Sequence, residues 1–140
     1  MQQMSKIIDG LYLGGEYDAF DYNNFVKYNI KAVINVTPDV PNFFEDKGIT
    51  YLRVPILDNI NENISTFFPQ TFEFIETHIQ NGGVLVHCRM GVSRSATIVV
   101  AFLMKKKNLE FREALEFVRT NRARIDPNLG FEIQLLNYMY

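Results

Sequence analysis

Val84-Leu85-Val86-His87-Cys88-Arg89-Met90-Gly91-Val92-Ser93-Arg94-Ser95-Ala96-Thr97 decides the fold. A short apolar run reaches the chain's one cysteine, an arginine stands six positions beyond it, and an apolar segment of helical length begins there. That order reads as a strand, a tight loop and a helix N-terminus. Backbone N–H groups of such a loop, with the positive end of the helix dipole, form an anion site. A thiol at one edge of that site is placed to act as a thiolate nucleophile. The bland alternative is a buried structural cysteine. Against it stand Arg94, the intervening Gly91, the following Ser95 and the strand–loop–helix context.

Each position of the loop then acquires an expected task. Cys88 attacks phosphorus in line and forms a phosphocysteine. The N–H groups of Arg89, Met90, Gly91, Val92, Ser93 and Arg94 bind the equatorial oxygens as charge builds on them. Gly91 allows the tight or left-handed turn, and Arg94 offers a planar fork that lysine could not replace. Ser95 is positioned to donate to the Cys88 sulfur. His87 is read as holding the loop backbone and tuning the thiol, rather than as a general base. Dephosphorylation also needs an acid for the leaving oxygen and then a base for water. The loop carries no carboxylate, so this group must come from elsewhere. Asp58 is the candidate because it follows a strand and falls on the same sheet edge as Cys88; Glu62 in the same loop is the runner-up.

Outward from the loop, strand-like and helix-like stretches alternate. Lys6-Ile7-Ile8 and Leu11-Tyr12-Leu13 flank an Asp9-Gly10 turn, and residues 17–28 are weakly helical. Residues 32–36 and 49–54 read as strands, the second ended by Pro55. Residues 64–79 carry one apolar helical face with Ser65 as a potential cap, and residues 95–104 are apolar nearly all round, as in a buried helix. Residues 111–118 form an amphipathic helix, and Asp126-Pro127 signals the start of a last helix over about residues 128–139. Alternation of this kind predicts an α/β domain over residues 1–140, with a largely parallel sheet flanked by helices and the Cys88 strand at its centre.

Composition limits the remaining possibilities. The chain has 140 residues, 47% hydrophobic and 21% charged, with a net charge of −2, so no global field draws it to nucleic acid or to an anionic membrane. One cysteine makes no intramolecular disulfide, and two histidines are few for a zinc cluster. The expectation is a protein without metal or cofactor, treated as a monomer. No apolar leader, lipidation box or spanning segment is evident, which places it in the cytosol with passive entry to the nucleus open.

His87-Cys88-x5-Arg94-Ser95 resembles the signature of the cysteine-dependent protein tyrosine phosphatases. From Ile8-Asp9-Gly10-Leu11-Tyr12-Leu13-Gly14 to the last helix, the chain is similar to their dual-specificity subgroup. Ile34-Asn35-Val36-Thr37, Tyr51-x-x-x-Pro55-x-x-Asp58 and Pro127-Asn128 add to the likeness. Met90-Gly91-Val92-Ser93-Arg94-Ser95 resembles the slingshot-type phosphatases, and the stretch ending in Asp58 the phosphatases of mitogen-activated kinases. The resemblance implies a five-stranded sheet and phosphorylated protein substrates, through phosphotyrosine and phosphoserine or phosphothreonine. It raises Asp58 above Glu62 and makes Asn35 and Asn128 loop-buttressing residues. It also suggests Arg122 as a secondary substrate contact, against the alternative of a solvated helix end. Rival readings are a phosphoinositide or other non-protein phosphatase, and a catalytically silent phosphoprotein-binding module.

Overall fold

The computed structural model describes residues 3–140; Met1 and Gln2 lie outside the described residues. Five strands form one sheet: β1 (Ser5–Ile8), β2 (Leu11–Gly14), β3 (Ile30–Asn35), β4 (Thr50–Arg53) and β5 (Gly83–His87). Their spatial order is β1-β2-β5-β3-β4, with β1 antiparallel to β2 and the other pairings parallel. The strand leading to Cys88 is thus central, as its unbroken apolar run implies. The two-fold alternation of side chains divides the core. Val84, Val86, Ala32, Ile34, Leu11 and Leu13 face one cluster, and Leu85, Val33 and Tyr12 face another.

The first cluster is covered by α3 (Phe68–His78), α4 (Arg94–Lys106), α5 (Phe111–Asn121) and α6 (Leu129–Leu136). Residues 94–104 of α4 are all buried, so this helix carries the Cys88 loop on a foundation enclosed on every side. The second cluster is covered by two short helices, α1 (Glu16–Phe20) and α2 (Tyr22–Lys27).

Three local expectations are corrected. Residues 17–28 are two helices rather than one, because Asp21 turns extended and its side chain accepts the Asn23 N–H at 3.0 Å. A short carboxylate competes with the helix for backbone donors. Ser65 does not cap α3. Ile64–Phe67 is a 3-10 turn, Ser65 donates to the Asn63 side chain, and α3 begins behind it with Pro69 in its first turn. The cap of α6 is Asn128, whose Oδ1 accepts the Phe131 N–H at 2.9 Å, and not Asp126.

At the end of β5 the His87 ring is fully buried. Nδ1 lies 3.1 Å from the Cys88 carbonyl and so must carry the proton, which leaves Nε2 as an acceptor without a partner among the described residues. Burial lowers its pKa from 6.5 to about 4, helped by Arg53 and Arg94 and opposed by the Cys88 carbonyl. His87 is therefore neutral when folded and titrates first in the unfolded chain. Its contribution is complete above about pH 6.5 and drains away as pH falls toward 4, by about 3 kcal/mol in all. Denaturant titrations are expected to give a stability that drops from pH 6.5 to 5, by up to about 1.4 kcal/mol per pH unit from this one proton. His87→Asn retains a donor near the Cys88 carbonyl and is expected to remove that slope.

Candidate active site

The loop of residues 88–93 joins β5 to α4, and its geometry follows from where its carbonyls go. The Arg89 carbonyl accepts the Glu16 N–H at the start of α1 (2.8 Å), and that of Val92 the Asp126 N–H (2.7 Å). Gly91 O and Met90 O accept Nε and Nη2 of Arg122 at 2.8 and 3.3 Å. Ser93 O takes both the N–H and the hydroxyl of Thr97. Five consecutive carbonyls are thus bonded to the surrounding scaffold. In a trans peptide the N–H points opposite to the C=O, so the N–H groups of Met90 through Arg94 turn to the other side, toward the pocket. Among the described residues, none of the N–H groups from Arg89 to Ser93 has an intramolecular partner. Gly91 sits at φ +69°, where a Cβ would fall 2.6 Å from both Arg122 Nη2 and Gly14 O; no other residue fits.

Cys88 is buried, and its Sγ lies 3.1 Å from Ser95 Oγ, the placement expected for a hydroxyl that supports a thiolate. Arg94 is buried too; Nη1 donates to the Ile56 carbonyl at 3.0 Å, which fixes the plane of its guanidinium. Asp58 stands across the same cavity. Its Oδ1 accepts Ser93 Oγ at 2.7 Å and Asn128 Nδ2 at 2.9 Å, and Ser93 Oγ itself accepts the Asn128 N–H at 3.0 Å. Asn128 therefore starts α6, braces Ser93 and holds the carboxylate at once. Glu62 is differently employed: its Oε1 accepts the Leu57 N–H at 3.0 Å and stabilises the loop backbone. The cavity lined by Asp58, Cys88, Arg89, Met90, Val92, Ser93 and Arg94 has a volume of about 200 Å³. A larger concavity of about 970 Å³ lies between the α4–α5 connection and the C-terminal residues, and contains none of these groups.

Arg122 is neither a solvated helix end nor free to contact substrate. It is 2% exposed, and beyond the two loop carbonyls it donates to Gln3 O and Ser5 Oγ. Burial lowers its pKa below the usual arginine range, against the opposing charge of Asp18. Asp18 is buried in turn, accepts the Gly15 N–H at 3.0 Å, and has its pKa raised by desolvation. The sequence reasoning missed Asp18. Its signal was the spacing Gly15-x-x-Asp18, an acidic side chain three residues into a helix that reaches back to the cap.

The side chains of Arg89 and Asn35 both reach the loop of residues 36–42. The Arg89 side chain turns away from the loop to pair with Glu16 (2.9 Å) and Asp39, so only its backbone is left for an anion. Asn35 braces residues 36–42 rather than the Cys88 loop, donating to Val40 O and Asn42 Oδ1 and accepting from Thr37 Oγ1. Met90 is exposed and makes an apolar rim. Among the described residues, no three His, Cys, Asp or Glu side chains converge as a metal site requires, and no helix is long and apolar enough to cross a membrane.

Comparison with known proteins agrees with this geometry. Residues 11–140 match the family model described as the dual specificity phosphatase catalytic domain. Human dual specificity protein phosphatase 9 is 44% identical over 135 residues, covering 95% of this chain and 35% of the relative. The Slingshot homolog protein phosphatase of Xenopus laevis is 38% identical over 99% of this chain and 20% of its own length. The chain therefore spans about a third or less of these curated relatives. Among solved structures, DUSP15 superposes with a TM-score of 0.91 at 34% identity over 97% of this chain and 86% of its own. The human tyrosine phosphatase-like serine/threonine/tyrosine-interacting protein does so at 0.89 and 37%, over 99% and 96%. Strand order, loop and relatives agree: the chain belongs to the dual-specificity phosphatase catalytic-domain family.

Proposed function

We propose that this chain hydrolyses phosphate monoesters on tyrosine and on serine or threonine side chains of proteins, through a phosphocysteine on Cys88. The observation that carries the reading is a buried sulfur 3.1 Å from a serine hydroxyl, at the mouth of a ring of inward N–H groups, with a carboxylate tethered to the same ring. The Cys88 thiolate attacks phosphorus, the ester P–O bond breaks, and the departing oxygen takes a proton from Asp58. Both hydrogen bonds to Asp58 fall on Oδ1, so Oδ2 is the atom left to carry that proton. Water then loses a proton to the Asp58 carboxylate and attacks phosphorus. The S–P bond breaks, and inorganic phosphate leaves with the thiolate restored. The inward N–H groups and the Arg94 fork stabilise the phosphoryl oxygens through both steps. Ser95 supports the thiolate as nucleophile and as leaving group. A reducing compartment such as the cytosol keeps the thiol competent.

A second reading, a phosphoprotein-binding module, draws support from the likeness to a phosphatase-like interacting protein. Phosphate release from phosphotyrosine and phosphothreonine peptides separates the two. Turnover of both supports the enzyme; binding without release by intact protein favours the module; turnover of phosphoinositides alone overturns the protein substrate.

Cys88→Ser is expected to lower kcat by on the order of 10³-fold or more while phosphopeptide binding survives, read by turnover beside calorimetry. Asp58→Asn is expected to lower kcat on an alkyl phosphate by about 10²–10³-fold and to abolish the alkaline limb of its pH profile. An unchanged limb removes Asp58 as the acid. Arg122→Lys retains the charge beside Asp18 but cannot reach both Gly91 O and Met90 O. Its kcat is expected to fall about tenfold or more with a small change in Tm, both being measured on the same preparation.

A further inference from the structure

Among the described residues, two arginines line the pocket and a third lies buried against its loop. Arg94 is the fork for the reacting phosphoryl group, and Arg122 is buried on loop carbonyls. Among the described residues Arg89 is the other cation that lines the cavity, and it is held by two carboxylates from different elements. We propose that the mouth of the Cys88 pocket is built for a singly phosphorylated segment, because Glu16 and Asp39 neutralise Arg89 and so withhold the cation that a neighbouring second phosphate would need.

The holders are themselves fixed. The Glu16 N–H donates to the Arg89 carbonyl at 2.8 Å while its side chain takes the Arg89 guanidinium at 2.9 Å, so residue 89 is tied to α1 by backbone and side chain together. Asp39 stands in the 36–42 loop, which is braced by Asn35 and by Thr37 Oγ1 accepting the Val40 N–H at 3.0 Å. The hydrogen bond from Arg89 lowers the Asp39 carboxyl below its usual range, so it stays ionised and paired at neutral pH. The cluster carries one positive and two negative charges. A second phosphate brought to this rim meets a net charge of −1 instead of a free guanidinium. The same balance disfavours a polyphosphorylated headgroup.

This inference rests on the protein-phosphatase reading for its substrate but not for its charge argument, and the experiment separates the two. A phosphotyrosine peptide is compared with the same peptide carrying, two residues away, a non-hydrolysable phosphonate, so that one position alone reacts. Wild type is expected to show kcat/KM for the doubly charged peptide no higher than for the single one. The variant E16Q/D39N is expected to raise the ratio of kcat/KM for the doubly charged peptide to that for the singly phosphorylated one roughly fivefold, and to lose most of that gain at high salt. Adding Arg89→Leu should abolish the gain. A wild-type preference for the second anion, or a ratio that E16Q/D39N leaves untouched, overturns the proposal. If no peptide is turned over, p-nitrophenyl phosphate hydrolysis reads the rim instead. E16Q/D39N should then tighten inhibition by inositol 1,4-bisphosphate over inhibition by inorganic phosphate; an unchanged ratio overturns the rim proposal, and peptide failure alone counts against the substrate reading.

Discussion

The outward bonding of five consecutive carbonyls is the constraint on which the site depends. A loop that binds a tetrahedral anion must present several N–H groups to one point, and left to itself a six-residue segment would sample many other conformations. Here each peptide plane is turned by a partner outside the loop: an α1 N–H, the Arg122 fork, the Asp126 N–H and Thr97. Those partners come from three separated parts of the chain: residue 16, residue 97 and residues 122–126. The order of the sheet brings them together, since β5 lies between β2, which leads into α1, and β3. Architecture and site meet at the same hydrogen bonds, and dipoles held in this way require no reorganisation when negative charge is placed at the centre of the ring.

The most expensive of these partners is Arg122. Burying a guanidinium and a carboxylate is repaid only when both are well bonded. Arg122 meets that condition with four acceptors, and Asp18 with backbone donors and the nearby guanidinium. Hydrophobic groups of the same volume would stabilise such a site at least as well. What they would not do is fix the peptide planes of Met90 and Gly91. The glycine is the complement of this choice, because its missing Cβ leaves the space that the Arg122 guanidinium and the Gly14 carbonyl occupy.

That distinction decides what was legible in the sequence. The β5–loop–α4 unit was readable because its signals are local: an apolar strand, a thiol, a turn glycine and an apolar helix within fourteen residues. Asp58 was readable from topology, since a residue just past a parallel strand lies on the ligand-binding edge. Arg122 was not, because its partner Gly91 is 31 positions away and the side chain gives no sign of being buried until α5 is docked. The Arg89 cluster was equally hidden, with Asp39 and Glu16 at separations of 50 and 73. The partners that neutralise Arg89 lie on elements that only the sheet order brings near. The helix errors had a different origin. At Asp21, Ser65 and Asn128, side chains short enough to bond the backbone compete for the same donors, and apolar periodicity does not report which of them wins.

The tie between the Asp58 carboxylate and the Cys88 loop follows from the same economy of parts. Ser93 O accepts from Thr97 at the start of α4, while Ser93 Oγ donates to Asp58 and accepts from Asn128. The residue that sets one peptide plane of the anion ring thus also positions the carboxylate. The segment carrying Asp58 is strapped along its length: Ile56 O accepts from Arg94, Leu57 N–H donates to Glu62, and the Ile60 carbonyl presses so closely on Gly130 of α6 that a Cβ there has no room. The position of the Asp58 carboxylate is thus set by the same contacts that shape the ring of N–H groups. Displacing α6 would therefore disturb the Asp58 carboxylate and the Cys88 loop together, because Asn128 bonds both Asp58 and Ser93.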